Sequence, residues 1–253
     1  MKAKNSDWYK YGWSLDIKNQ SWTENTIDQV AFIIKTLNLK GNERILDLAC
    51  GYGRHSLEFA RLGYQVTGVD LTKEYVEDAI KTARKESLNA EFIQADLREV
   101  YFKEEFDIVL NLGDGAIGYL ETDEENLKIF DCIATALKPG GKHFMDICSG
   151  DHADRYFPKK GWEVGQNAIS LSEFEWNKET RRMLFAGWDI AYGEPVKVPE
   201  IMYGDPTRLY TMDEIQEIWK SRKMKMIQAY SDFYGKPVTV EELQLLVYSQ
   251  KLG

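Results

Sequence analysis

The residues best suited to chemistry lie between Ile45 and Arg54, where the chain reads Ile-Leu-Asp-Leu-Ala-Cys-Gly-Tyr-Gly-Arg. A short apolar run ends near an acid and gives way to two glycines. Without a Cβ, glycine lets a ligand approach the backbone closely. A dinucleotide site would read Gly-x-Gly-x-x-Gly and hold a pyrophosphate on the following helix N-terminus. Here Ser56 stands in place of the third glycine. Asp47, four residues before Gly51, disfavours a phosphate and can attract an amino group.

Three further strand ends carry polar groups. Asp70 closes the run Gln65 to Val69 and can accept both hydroxyls of a ribose. Gln94-Ala95-Asp96-Leu97 follows the next run, where Asp96 can accept from an adenine amino group and Leu97 can line the ring. Asn111-Leu112-Gly113-Asp114 follows the fourth. One such end would be chance or a helix cap; four in order form a nucleoside-shaped cradle. S-adenosylmethionine is a nucleoside with an amino group, a sulfonium and no phosphate, so it suits this set.

The elements that must position these residues alternate. Thr26 to Leu39 has helical apolar spacing, and Arg44 to Ala49 is a strand. Helices follow over Arg54 to Leu62 and from Thr72, with strands at Glu91 to Gln94 and Phe106 to Leu110. Thr122-Asp123-Glu124-Glu125 is a capping box opening a helix to about Leu137, and Lys138-Pro139-Gly140-Gly141 turns into a strand from Lys142 to Ile147. The expected fold is α/β, a doubly wound, mostly parallel seven-stranded sheet. From Cys148 to about Tyr203 the pattern predicts a small antiparallel β insertion. Thr211 to Glu214 is a second capping box, and strands near Met226–Tyr230 and Leu243–Ser249 close the sheet. The expected organisation is an N-terminal aromatic lid and helix (1–40), a ligand-binding core (41–150), the insertion (151–205), and a C-terminal helix and strands completing the sheet (206–253).

The 253 residues carry a formal net charge of −9 with no basic run, which speaks against DNA or RNA as a partner and for a small-molecule acceptor. Cys50, Cys132 and Cys148 lack the spacing of a disulfide framework or a zinc site, and no metal is expected. There is no apolar run of membrane-spanning length and no signal-peptide core, so the expectation is a cytoplasmic protein, monomeric or homodimeric.

The stretch from about Leu39 to Ile147 resembles the class I S-adenosylmethionine-dependent methyltransferases. LDLACGYGR (46–54), Asp70, the Asp96-Leu97 pair and the KPGG turn (138–141) match that family in order and spacing. The later chain resembles a small-molecule subgroup, through Arg208-Leu209-Tyr210-Thr211 and through Tyr230, Phe233, Gly235 and Pro237. The resemblance implies a Rossmann-like fold, S-adenosylmethionine as cofactor and S-adenosylhomocysteine as product. It places Asp47, Ala49, Gly51 and Gly53 around the methionine part, with Cys50 in the same turn. Asp70 would take the ribose, and Leu71, Asp96 and Leu97 the adenine. Asn111 and Gly113, with Leu112 between them, would lie near the sulfonium. Ala49 stands where many relatives have glycine.

The implied reaction is methyl transfer to nitrogen or oxygen, or to carbon, of a small molecule. Candidates for acceptor contact are Tyr11, Trp13, Asp114, His152, Arg208 and Tyr210, of which His152, Tyr11 and Asp114 are the candidates for catalysis. Trp8, Tyr9, Tyr11 and Trp13 either form a lid or dock the segment on the surface, and Trp22 lies in the same polar, aromatic stretch. His55 reads as a half-exposed helix residue, His143 as a packed one, and Trp162, Trp176 and Trp188 as hairpin core. Competing readings are a non-catalytic module that retains the fold, an aminopropyl transferase, and an NAD-dependent oxidoreductase, against which Ser56 argues.

Overall fold

The computed structural model describes residues 1–20, 23–165, 167–197 and 203–253; Trp22 lies outside them. In chain order the elements are β1 (Lys2–Ala3), α1 (Thr26–Leu37), β2 (Arg44–Leu48), α2 (Arg54–Arg61), β3 (Gln65–Asp70), α3 (Lys73–Lys85), β4 (Ala90–Gln94) and β5 (Phe106–Asn111). Then come α4 (Asp123–Ala136), β6 (Leu137–Cys148), α5 (Gly150–Tyr156), β7 (Lys159–Val164), β8 (Ala168–Asn177) and β9 (Arg182–Ala191). The chain closes with β10 (Tyr203–Arg208), α6 (Met212–Ser221), β11 (Met224–Tyr230) and β12 (Gln244–Lys251).

Seven strands form one sheet in the order β11-β12-β6-β5-β2-β3-β4. β2, β3, β4, β5 and β6 pair in parallel, and β12 runs antiparallel to both β6 and β11. Alternate residues of a central strand serve opposite faces. Ile45, Ile108 and Phe144 pack with Val30 and Ile33 of α1 on one face. Leu46, Val109 and Met145 pack with Ile129 and Phe130 of α4 and Trp219 of α6 on the other. That two-sided cover explains the near-continuous apolar runs in the sequence, since both faces of a parallel sheet are buried.

Two boundaries differ from the sequence expectation. β6 begins at Leu137, so the KPGG residues lie within the strand span, with a register shift opposite Phe106 and Ile108. The insertion is larger than a hairpin: a five-stranded sheet, β1-β10-β9-β8-β7, that takes its edge strand from the N-terminus and runs to Arg208. A short helix, α5, capped by the Ser149 hydroxyl, precedes it. Trp162 is not hairpin core: it stands on the edge strand β7 and is 72% exposed. Among the described residues no helix is long and apolar enough to cross a membrane.

Candidate functional site

β2, β3, β4 and β5 end at one rim of the sheet, where open α/β sheets place their ligand crevice. A cleft of about 980 Å³, part of it open to solvent, lies there. Ala49, Cys50 and Gly51 line it from the turn after β2; Asp70 and Leu71 from the end of β3; Asp96 and Leu97 from beyond β4; Leu112 and Gly113 from beyond β5. Thus nine of the twelve residues expected around a cofactor share one cleft.

The other three stand behind it. Asp47 is buried and accepts the Ser56 hydroxyl at 2.6 Å. Burial pushes its carboxyl up to about 7, against the pull of that hydrogen bond. Gly53 caps α2, and a Cβ there would come within 2.8 Å of Phe92. Asn111 is fully buried; its amide donates to the Gly115 carbonyl at 2.9 Å, and its Oδ1 lies 3.1 Å from His143 Nε2.

Asp70 is the hinge of the turn. Oδ2 accepts the Gly51 N–H and Oδ1 the Thr72 N–H, both at 2.8 Å. Each oxygen keeps a lone pair for a hydroxyl. Asp96 is more heavily engaged: its Oδ1 accepts the Arg98 backbone N–H and Nε, each at 2.9 Å, and its Oδ2 accepts Arg98 Nη2 at 2.5 Å. The hydrogen bonds from Arg98 hold its carboxyl below the usual range. Oδ2, with a single partner, is the oxygen left more open to a further donor.

The N-terminal segment straps the cleft. Trp8 Nε1 donates to the Pro206 carbonyl at 3.2 Å, and Lys4 pairs with Asp205 at 2.6 Å. The Tyr9 hydroxyl donates to Glu121 at 2.8 Å and accepts from Arg98 at 3.3 Å. Farther on, the Tyr75 hydroxyl donates to the Ser14 carbonyl at 2.9 Å, and Lys18 pairs with Asp78 at 2.5 Å. Tyr9, Trp13 and Ile17 face the cleft from this strap. Trp8 and Tyr9 are buried, so the segment also docks on the protein through its aromatics.

The acceptor candidates divide. Trp13 lines the cleft and lies nearly parallel to Tyr119, at 6.2 Å and 13°. Asp114 sits immediately behind the wall and accepts the Tyr119 hydroxyl at 3.1 Å. Tyr11 does not reach the site: it is 79% exposed at the end of a short turn. His152 is buried under the segment before β12, with Nδ1 3.0 Å from the Val240 carbonyl and its ring against Tyr156 and Phe157. Arg208 is buried and paired with Glu214 at 2.5 Å and Asp123 at 3.3 Å, over the ring of Tyr210. Tyr210 packs on Phe130. The last three therefore join the insertion to the core and are absent from the cleft lining.

Several lining residues lie outside the set that the sequence assigned to the cofactor. His55 is buried on the cleft wall, not half-exposed, with Nε2 2.8 Å from Gln29 Oε1. Arg54 is the only arginine or lysine among the described lining residues, and its guanidinium donates to Thr26 and Gln29 at 2.9 and 2.6 Å. Tyr52, Thr72, Tyr75, Ala116 and Tyr119 complete much of the wall. Residues 113 to 116 all have positive φ, at 61°, 65°, 51° and 61°, although Asp114 and Ala116 are not glycine. Such a left-handed run is strained for L-residues, and strain of this kind collects at functional sites. The glycine-dense run from Gly113 to Gly118 was the available signal for it.

The donor set fits S-adenosylmethionine. A hydroxyl-accepting carboxylate, an apolar slot, a guanidinium for a carboxylate and a wall rich in aromatic faces suit a cationic nucleoside amino acid. Burial pushes the His55 imidazole well below its usual range, so it is neutral on the wall.

The family described as "Methyltransferase domain" matches residues 45–141. The chain is 31% identical to the cypemycin N-terminal methyltransferase of a Streptomyces species over 209 residues, covering 82% of each. It is 27% identical to the putative methyltransferase YqeM of Bacillus subtilis, over 82% of this chain and 84% of that protein. A solved S-adenosylmethionine-dependent methyltransferase from Clostridium acetobutylicum superposes with a TM-score of 0.75 at 17% identity, over 94% of this chain and 97% of its own.

Proposed function

The chain belongs to the class I S-adenosylmethionine-dependent methyltransferases, and from that premise we propose that it methylates a nitrogen or oxygen atom of a small molecule, with nitrogen favoured. When bound, the cofactor supplies a methyl group activated by a positively charged sulfur. The observation that carries the acceptor reading is the strap. Tyr9, Trp13 and Ile17 line the cleft from this strap, an arrangement that supports a small acceptor. The relative that acts at an N-terminal position supports nitrogen.

In this reading Asp70 takes the ribose, Leu71 and Leu97 flank the base, and Arg54 meets the cofactor's carboxylate. The strap excludes water and aligns the acceptor, which is most of what displacement at an activated methyl requires. Asn111, tied to His143 and to the Gly115 carbonyl, holds the turn on the acceptor side. The test is a screen of amines, alcohols and acidic C–H compounds that follows S-adenosylhomocysteine release. Turnover confined to amines or alcohols of small size supports the reading, and turnover only on RNA or folded protein contradicts it.

A further inference from the structure

One pair of side chains joins the cleft wall to the turn behind it. Tyr119 faces the cleft between two tryptophans, with ring centroids 4.9 Å from Trp8 and 6.2 Å from Trp13. Its hydroxyl points away from them, donating to Asp114 Oδ2 at 3.1 Å. Asp114 is placed by the strained run: φ is +65° there, and its own N–H donates to the Asp146 carbonyl at 2.8 Å. A side chain held at such backbone cost behind a cleft-lining phenol points to use.

We propose that Tyr119 and Asp114 form a proton relay that takes the proton from a primary or secondary amine as it is methylated. The proposal rests on the methyltransferase reading and adds the acceptor class. The nitrogen lone pair forms the new C–N bond while the C–S electrons stay with sulfur. The N–H bond then breaks and its electrons return to nitrogen. That proton passes to Tyr119 Oη, whose own proton moves to Asp114 Oδ2. Tyrosine ends neutral and the carboxylate ends protonated, so no other reactant is needed. Before attack, the phenol oxygen accepts the acceptor's N–H and so turns its lone pair toward the cofactor.

Three further titratable groups face the relay. Asp146 and Cys148 approach Asp114 from β6, and Asp205 faces Tyr119 from β10. Burial raises the Asp114 carboxyl above the usual carboxylate range, with the hydrogen bonds from Tyr119 and Cys148 opposing. Burial and Asp114's charge hold the phenol neutral. A carboxyl so raised is a better proton acceptor near neutral pH.

The test compares wild type with Asp114→Asn and Tyr119→Phe; asparagine tolerates positive φ, so the turn is kept. First, each protein is titrated with S-adenosylhomocysteine, and affinities within about threefold of one another show that the cofactor site is intact. Second, 13Cζ-tyrosine NMR of the complex follows Tyr119, assigned by its loss in Tyr119→Phe. The relay predicts a Tyr119 resonance that shifts in Asp114→Asn and shows a titration step in wild type only. Third, a mixture of glycine, sarcosine and trialanine is offered with S-adenosylmethionine. Both variants should lose at least about tenfold in kcat, and Asp114→Asn should lose the low-pH limb of the profile. A Tyr119 resonance indifferent to Asp114→Asn, kcat within twofold in both variants, or no methylated amine despite tight cofactor binding overturns the relay. Absence of S-adenosylhomocysteine binding in wild type instead strikes the cofactor reading beneath it.

Discussion

The Asp70 Oδ2 oxygen accepts the Gly51 N–H at 2.8 Å, tying the end of β3 to the glycine turn that follows β2. One carboxylate thus shapes the cradle and offers its remaining lone pairs to a ligand. Asp70→Ala should weaken S-adenosylhomocysteine binding by ~1–3 kcal/mol through lost hydrogen bonds. Calorimetry on the folded variant checks this, and unchanged affinity would remove Asp70 from the site.

The turn after β5 should be intolerant of side chains in a graded way. A Cβ on Gly118 would lie 2.0 Å from the Arg208 carbonyl oxygen, at φ +89°, whereas one on Gly113 meets nothing within 4 Å. Gly118→Ala combines backbone strain with a clash and should cost ~2–5 kcal/mol. Gly113→Ala carries the backbone term alone, about 1–2 kcal/mol. Urea unfolding of the two variants ranks them, and equal losses would mean the close approach to Arg208 is not maintained in solution.

Trp13 connects the strap to the cleft through Tyr119. Trp13→Ala should raise the dissociation constant for S-adenosylhomocysteine about tenfold, ~1.4 kcal/mol. In wild type the cofactor product should slow amide exchange over residues 8–17, where the strap spans the cleft. Exchange in that segment that ignores the ligand would show that the strap is not part of the binding site.

Asp47 links the site to pH. Burial raises its folded-state pKa to about 7, above an unfolded value of about 3.9. The folded protein therefore holds more protons between those values, and this group's contribution to stability falls as pH rises from about 4 to 7. Asp47→Asn keeps an acceptor for the Ser56 hydroxyl and removes the titration. Its Tm relative to wild type should climb between pH 5 and pH 8 in thermal scans. A pH-independent difference would place the Asp47 carboxyl in the ordinary range.

Much of the core was legible because a parallel sheet buried on both faces writes itself as short apolar runs, and a ligand rim as polar residues closing them. Asp70, Asp96 and the glycine turn follow from that rule. Local patterning says less about long-range partners. Nothing near Lys2–Ala3 indicates that they pair with β10 some 200 residues away. Arg208 and His152 have the chemistry of a site, yet Arg208 pairs with Asp123 and Glu214 of the core and His152 bonds the Val240 carbonyl, which only the tertiary arrangement fixes. Tyr119 was invisible for the opposite reason: its significance comes from Asp114 and Trp13, brought to it by a strained turn and a distant strap. Asp47 shows a third limit, since the acid that marks the motif stands behind the cleft wall with Ser56.

The most direct measurement is a calorimetric titration of the purified protein with S-adenosylmethionine, S-adenosylhomocysteine and NAD. Micromolar binding of the first two with none for NAD is the predicted result. Failure of both sulfur nucleosides to bind, or comparable binding of NAD, would contradict the assignment of this cleft.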